Sequence, residues 1–97
     1  MKVVNRLVIE DFIKSHQEVS GQLAAWLENV ERSDCKTPLE IKSQIPNAGP
    51  IPDNRVIFDI KGNKYRLIVK INYNIGLVYI RWIGTHAEYS KINAETI

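Results

Sequence analysis

The sequence predicts an α+β fold in which helices from the first half of the chain cover one face of a mainly antiparallel sheet built by the second half. Up to about residue 32, apolar residues recur at helical spacing. From Arg55 onward they alternate with polar residues, which is typical of strands that bury one face. A length of 97 residues and a hydrophobic content of 44% suit a single domain, residues 1–97, around one core.

The first half is predicted to contain one strand and two main helices. The short apolar run Met1–Asn5 suits a first strand. Apolar side chains near helical spacing predict a first helix from Leu7 to about His16 and a second from Glu18 to about Arg32. The second helix carries one apolar stripe, formed by Leu23, Trp26, Leu27 and Val30.

The next segment is predicted to hold a short helix and then a loop. Thr37 before Pro38 provides an N-cap and a proline at the first helical position, which predicts one or two helical turns over Pro38–Ser43. Residues Ile45–Asn54 contain three of the four prolines of the chain and predict a loop.

The sheet is predicted from three alternating runs joined by two turns: Arg55–Ile60, Lys64–Tyr73 and Leu77–Ile83. The turns are Lys61–Asn63 and Asn74–Gly76, and strands linked by such hairpins are antiparallel. Because side chains alternate between the two faces of a strand, one face of the last two strands is predicted to be apolar. Its members are Tyr65, Leu67, Val69, Val78, Ile80 and Trp82.

The last predicted element is a short helix that starts at His86. Thr85 followed three residues later by Glu88 is a capping box, so His86 becomes the first helical residue and Tyr89 lies about one turn further on. Both side chains then stand just beyond the last strand of the sheet.

Positive charge is concentrated in the sheet region. Residues 1–54 hold six Lys/Arg and eight Asp/Glu, a net charge of −2, whereas residues 55–92 hold seven Lys/Arg and two Asp/Glu, a net charge of +5. This asymmetry indicates an anionic partner, although charge alone favours an ordinary solvated surface.

Three cations on the predicted polar face are candidates for phosphate binding. Lys64 and Arg66 lie two residues apart on one side of the central strand, and Arg81 on the neighbouring strand can join them. A guanidinium suits bidentate contact with phosphate, and converging cations would stabilise the negative transition state of phosphodiester cleavage. The alternative for each cation is an ordinary solvated charge. This interpretation is favoured for Lys70.

His86 and Tyr89 are the candidates for proton transfer. A neutral imidazole where the basic face ends could accept a proton from a ribose hydroxyl or position that hydroxyl. Tyr89 could stack on a base or donate a proton. The structural alternatives are a polar residue at a helix start and a ring packed against the sheet.

Several kinds of site and location are disfavoured. The single cysteine, Cys35, permits no intramolecular disulfide, and with the distant His16 and His86 it gives no metal-ligand spacing, so neither a metal nor a cofactor is expected. The N-terminal residues carry charges throughout and form neither a signal peptide nor a membrane span. These features predict a cytoplasmic protein without membrane contact.

Two segments, Gly62–Leu67 (GNKYRL) and Thr85–Tyr89 (THAEY), resemble the HigB toxins, a branch of the RelE/ParE superfamily of bacterial toxin–antitoxin modules. The resemblance extends over nearly the whole chain. It implies a small RelE-like fold and a ribosome-dependent endoribonuclease that cleaves messenger RNA, an mRNA interferase. It also implies metal-independent attack of the ribose 2′-hydroxyl on the adjacent phosphate. The implied partners are a HigA-like helix-turn-helix antitoxin, messenger RNA and the ribosome with its RNA.

The resemblance also implies roles for individual residues. Arg66 matches a catalytic arginine of the superfamily, and Ser90 stands where the motif usually has aspartate. Acid and base roles stay open, since relatives in the RelE branch use cations near the position of His86. The implied catalytic residues are Lys64, Arg66, Arg81, His86 and Tyr89. The remaining basic residues predicted to contact RNA are Arg55, Lys61, Lys70 and Lys91.

Two other functions fit the same sequence. A ParE-like toxin would inhibit DNA gyrase and leave RNA intact. A non-catalytic module would use the basic sheet only to bind RNA or an acidic antitoxin segment. Global cleavage of messenger RNA would distinguish the mRNA interferase from both of these alternatives.

Overall fold

Helices cover one face of a five-stranded sheet in the computed structural model, which describes residues 1–97. The predicted α+β class is confirmed, with a strand and helices before a mainly antiparallel sheet and a short helix at the end. The strands are β1 (Lys2–Val4), β2 (Ala48–Ile51), β3 (Arg55–Ile60), β4 (Tyr65–Asn72) and β5 (Leu77–Thr85). The helices are α1 (Leu7–Ser15), α2 (Ser20–Arg32), α3 (Pro38–Gln44) and α4 (His86–Tyr89), with a 3₁₀ turn over Gln17–Val19.

The sheet has the strand order β1-β5-β4-β3-β2, so the last strand in the sequence lies between the first strand and β4. β1 pairs parallel with β5, and every other neighbouring pair is antiparallel. The turn between β3 and β4 uses positive φ angles, 54° at Lys61 and 69° at Gly62, as a tight hairpin reversal requires. This topology puts β4, which carries Arg66, at the centre of the sheet.

The predicted helices are present with small shifts at their ends. α1 ends one residue before His16, and the 3₁₀ turn precedes α2, so the second helix begins two residues after the predicted Glu18. α3 is capped as predicted, since the Thr37 side chain accepts a hydrogen bond from the backbone N–H of Glu40 at 3.2 Å. None of these helices has the length and apolar content needed to cross a membrane.

Helices and sheet share one hydrophobic core. Ile9 of α1, Leu23 and Val30 of α2, and Ile41 of α3 are fully buried in the same cluster as the sheet. The sheet residues in that cluster include Val56, Phe58, Ile60, Tyr65, Leu67, Val69, Ile71, Val78 and Ile80. The opposite side of the sheet, the outer face, is away from this core. Its residues on β3 and β4 are Arg55, Ile57, Asp59, Arg66, Ile68 and Lys70.

The prediction of a loop over Ile45–Asn54 is wrong for its middle part. β2 occupies Ala48–Ile51 and pairs antiparallel with β3 as an edge strand. Pro50 is tolerated there because an edge strand has one side on which a missing N–H breaks no ladder bond. Asp53 and Asn54, with φ of 64° and 57°, then reverse the chain into β3, and both residue types tolerate such angles.

The alternation predicted for the last strand is also wrong beyond Ile80. Val69 pairs with Ile80 but its neighbour Ile68 pairs with Trp82, so Arg81 is an extra residue in β5, a β-bulge. Because a shift of one residue exchanges the two faces of a strand, Ile83 enters the core and Trp82 lies on the outer face. The sequence places these two side chains the other way round.

Candidate active site

Arg66 is held between a carboxylate and an aromatic ring. It lies directly opposite Asp59 of β3 on one side and Gly84 of β5 on the other. Its Nε is 2.7 Å from Asp59 Oδ1, and its guanidinium carbon is 4.8 Å from the centre of the Tyr89 ring. The side chain is 22% exposed. The ion pair engages Nε, which leaves the two terminal nitrogens of the guanidinium for a ligand.

The helix α4 places Tyr89 over Arg66. The capping box is formed as predicted: Thr85 accepts from the backbone of Glu88, and Glu88 accepts the backbone N–H of Thr85 at 2.8 Å. That backbone hydrogen bond holds the pKa of Glu88 below its usual value. The backbone N–H of His86 donates to the Lys64 carbonyl at 2.9 Å and so ties α4 to the turn between β3 and β4. The start of α4 is therefore fixed at both the last strand and this turn.

Lys64 and His86 lie at the same end of the site. Lys64 precedes β4 and belongs to the turn, so it lies beyond the strand on which it was predicted to project beside Arg66. Both side chains are exposed, and the His86 ring is 6.4 Å from the Tyr89 ring. His86 is therefore a neighbour of Tyr89 on the side of the site where the β3–β4 turn lies.

Trp82 forms the remaining wall beside Tyr89. Its ring lies across Gly84, where an added Cβ would stand 2.4 Å from the Trp82 ring, and it is 6.3 Å from the Tyr89 ring. Sequence reasoning missed both Trp82 and Asp59 as site residues. Because Ile60 and Tyr65 both belong to the apolar alternation, the pattern could have predicted that Asp59 and Arg66 share the opposite face. Nothing in the sequence signals the bulge that turns Trp82 to the outer face.

A second group of cations lies further along the outer face and is engaged within the protein. Arg55 donates to Asp53 Oδ2 at 2.6 Å and, through Nη2, to the main-chain oxygen of Ile97 at 3.0 Å. Arg81 Nε is 3.4 Å from the same Ile97 oxygen, and Lys70 Nζ is 3.4 Å from Asp53. The hydrogen bond from Arg55, followed by the charge of Lys70, holds the pKa of Asp53 below its usual value. These five residues are the tail cluster.

Arg81 and Arg66, which were predicted to act together, have different partners in the structure. Arg81 lies three positions before Gly84, the residue opposite Arg66, which corresponds to about 10 Å along a strand. Arg81 contacts the Ile97 oxygen and Arg66 contacts Asp59, and their joint action on one phosphate stays a prediction. The other predicted RNA contacts lie elsewhere: Lys61 is half-buried in the β3–β4 turn, and Lys91 is exposed just after α4. Neither lysine forms an ion pair within the protein.

Two shallow grooves meet at the Arg66 site. One runs between the edge strand β2 and the Asp59–Arg66 pair, and the other runs between Ile57 and Tyr89. Ile51 and Ile57 line both grooves, so the two grooves adjoin at these apolar side chains. This arrangement could hold a phosphate at Arg66 and a flat, partly apolar group such as a nucleobase beside it.

The remaining candidate ligands for chemistry are dispersed. His16 stacks on Phe12 with ring centres 4.1 Å apart, and Cys35 is buried with its thiol near Gln44. Burial raises the pKa of the Cys35 thiol. The side chains of His, Cys, Asp and Glu form no group of three or more that could hold a metal ion.

Comparison with known proteins identifies relatives over the whole site. Residues 19–92 match the family model of the HigB toxin, described as the RelE-like toxic component of a toxin–antitoxin system. An mRNA interferase HigB of Escherichia coli O6:H1 is 23% identical over 94 residues, which cover 95% of this chain and 91% of the relative. The mRNA interferase toxin HigB of Escherichia coli K12 is 22% identical over 96 residues, or 97% of this chain and 92% of the relative. The matched region includes both Arg66 and α4.

Proposed function

The chain belongs to the HigB toxin family, and from this premise we propose that it is the toxin of a type II toxin–antitoxin system and cleaves messenger RNA. The observation that supports this activity best is the Arg66 guanidinium, which is fixed by Asp59 and Tyr89 while its terminal nitrogens stay open. The named relatives are mRNA interferases, and they align with nearly the full length of this chain.

The proposed reaction is an internal transesterification of RNA. The ribose 2′-oxygen bonds to the adjacent phosphorus and loses its proton, and the bond from phosphorus to the 5′-oxygen breaks as that oxygen gains a proton. The products are a cyclic phosphate and a 5′-hydroxyl. In this scheme Arg66 stabilises the charge that develops on the phosphorane oxygens. His86 and Tyr89 are the candidate groups for the two proton transfers, and Lys64 adds positive charge nearby.

The proposed substrate is messenger RNA on the ribosome, in the cytoplasm. Lys64 lies at one end of the site, Lys61 lies in the same β3–β4 turn, and Lys91 lies just after α4. None of the three forms an ion pair within the protein, and such cations suit the phosphates of messenger and ribosomal RNA. A HigA-like helix-turn-helix antitoxin would neutralise the toxin by covering part of this charged surface. No metal or cofactor takes part in the proposed scheme, and residues 1–97 act as one domain.

The decisive experiment replaces Arg66 by alanine. We expect Arg66→Ala to restore growth of cells that express the toxin without antitoxin, and to lower the cleavage rate on ribosomes by about 10²–10³-fold. Arg32→Ala is the matched control, because Arg32 is an exposed arginine on α2 far from the outer face. Circular dichroism would verify that both variants fold.

The readout also separates the competing functions. Mapping of messenger RNA 5′ ends in growing cells should reveal new ends that depend on Arg66. A fully toxic Arg66→Ala variant contradicts the proposed mechanism. Intact messenger RNA together with a DNA-damage response would instead indicate a gyrase inhibitor.

A further inference from the structure

Asp59 is the one carboxylate in ion-pair contact with Arg66. The two residues are directly opposite each other on β3 and β4, with Asp59 Oδ1 2.7 Å from Arg66 Nε. These two atoms are shut off from solvent and are close without the alignment of a hydrogen bond. The rest of the pair is accessible, since the side chains are 39% and 22% exposed. Solvent therefore does not reach the Nε–Oδ1 contact, whereas other parts of both side chains are open to solvent and to a ligand.

A cross-strand ion pair is often only a small contribution to stability. Two features of this pair indicate more. The guanidinium carbon lies over the Tyr89 ring, 4.8 Å from its centre, so both Asp59 and Tyr89 restrict where the guanidinium can move. Gly84, the other cross-strand neighbour, has no side chain of its own, and the Trp82 ring covers that position. An arginine side chain otherwise has many rotamers, and a preset guanidinium loses less freedom when it binds a phosphate.

The same carboxylate has an opposite effect on binding. Asp59 and Arg66 line the same groove, so RNA that reaches Arg66 also meets a negative charge. Asp59 should therefore weaken ground-state attraction of RNA while improving the alignment of Arg66 with the phosphorane. An acid that served only the fold would not affect binding and rate in opposite directions.

We propose that Asp59 is a positioning residue that sets the orientation of Arg66 for the cleavage step, an inference that rests on the proposed function above. Asp59 itself exchanges no proton with the RNA in this role. It acts through Nε of Arg66, and the terminal nitrogens of Arg66 contact the phosphate.

The test compares Asp59→Asn with Asp53→Asn. Both changes remove one carboxylate from an arginine on the outer face, but Asp53 pairs with Arg55 in the tail cluster. Single-turnover cleavage on programmed ribosomes would give a maximal rate and a half-saturating toxin concentration for each variant. For Asp59→Asn we expect a maximal rate lower by about 10- to 100-fold, with a half-saturating concentration that is unchanged or lower. Asp53→Asn should retain the wild-type maximal rate per folded molecule, and Asp59→Glu should recover part of the loss.

A second measurement follows the guanidinium without relying on activity. The Nε–H resonance of Arg66 in a ¹H–¹⁵N spectrum should shift in Asp59→Asn and stay in place in Asp53→Asn. Equal maximal rates for Asp59→Asn and Asp53→Asn would overturn the proposal. A loss of maximal rate and of affinity together in Asp59→Asn would also overturn it. So would loss of the pH dependence of the rate in Asp59→Asn, because that result indicates direct proton transfer by Asp59.

The two levels of inference fail differently. If the wild-type protein cleaves no messenger RNA on programmed ribosomes, the proposed function is wrong whatever Asp59 does. If Arg66→Ala cleaves at the wild-type rate, the activity stands but the roles of both Arg66 and Asp59 are wrong. If Arg66→Ala is inactive while Asp59→Asn is fully active, only the positioning role is wrong. In the Arg66→Ala background, Asp59→Asn should have no further effect on the rate, because the residue through which it acts is gone.

Discussion

Arg66 and Arg55 lie on the same face of the same sheet, and each contacts an aspartate, at 2.7 and 2.6 Å respectively. Their environments differ in how many guanidinium nitrogens remain free to bind a ligand. Arg66 is 22% exposed and makes one ion pair through Nε. Arg55 is 8% exposed, and Asp53 and the main-chain oxygen of Ile97 share its three nitrogens. The number of donors that remain open, rather than the charge, separates a residue able to bind a ligand from one that supports the fold.

This difference changes the meaning of the basic second half. The net charge of +5 over residues 55–92 includes Arg55, Lys70 and Arg81, all of which contact Asp53 or Ile97. The open positive charge is concentrated instead around Arg66 and the turn that holds Lys61 and Lys64. The RNA contacts predicted for Arg55 and Lys70 remain predictions, and they would require the tail cluster to rearrange.

The largest effect expected from this contrast is a loss of stability in Arg55→Ala. Hydrogen bonds to charged groups contribute about 1.5–3 kcal/mol each, and the exposed Asp53 recovers part of this through water, so the net loss should be about 2 kcal/mol. Urea denaturation measures the change, with Arg32→Ala as the exposed control. Cleavage per folded molecule should stay at the wild-type level. A large loss of cleavage at unchanged stability would place Arg55 in the RNA site.

A smaller effect is expected from Arg81→Ala. Arg81 is exposed and makes one long hydrogen bond, 3.4 Å, so its removal should change stability by less than about 0.5 kcal/mol. Because it lies on the outer face at a distance from Arg66, we expect a two- to fivefold weaker RNA affinity, about 0.4–1 kcal/mol, with no change in maximal rate. Titration at two salt concentrations tests this. A fall in maximal rate as deep as that of Arg66→Ala would show that the two arginines share one phosphate.

The smallest effect concerns the helix that holds Tyr89 over Arg66. The pKa of Glu88 is lowered in the folded protein, so its carboxylate stabilises the fold above the ordinary glutamate pKa, and this contribution is lost as the pH falls through the folded value. The stability of the wild type should therefore decline more between neutral pH and about pH 3.5 than that of Glu88→Gln. Denaturation curves at both pH values give the difference. Equal declines would show that the capping box carries no pH-dependent stability.

Much of the fold could be predicted because local signals agreed with the tertiary structure. The bounds of β3 were predicted correctly, since Val56, Phe58 and Ile60 alternate cleanly up to the turn at Lys61. The start of α4 follows from the capping box at Thr85. β2 was missed because Pro50 within it and Pro46 and Pro52 on either side suggest a loop, and only its edge position makes Pro50 acceptable.

The candidate site was predictable in part. Arg66 and Tyr89 were identified as single residues, but their contact depends on the angle at which α4 leaves β5, which no local pattern specifies. The alternation of β3 places Asp59 on the polar face, but it does not identify Arg66 as its partner. The separation of Arg81 from Arg66 depends on a bulge and on Ile97, sixteen residues away in the sequence, so neither composition nor spacing could indicate it.

The bulge at Arg81 changes which face of the sheet each later residue of β5 occupies. Side chains of a strand alternate between the two faces, and one extra residue exchanges the faces for every residue that follows. Before the bulge, the even-numbered residues Val78 and Ile80 enter the core. After it, the odd-numbered Ile83 enters the core and Trp82 lies on the outer face. One end of β5 therefore contributes to the hydrophobic core, and its other end contributes Trp82 to the exposed site. Substitutions at one end can occur without changing which residues at the other end face the core.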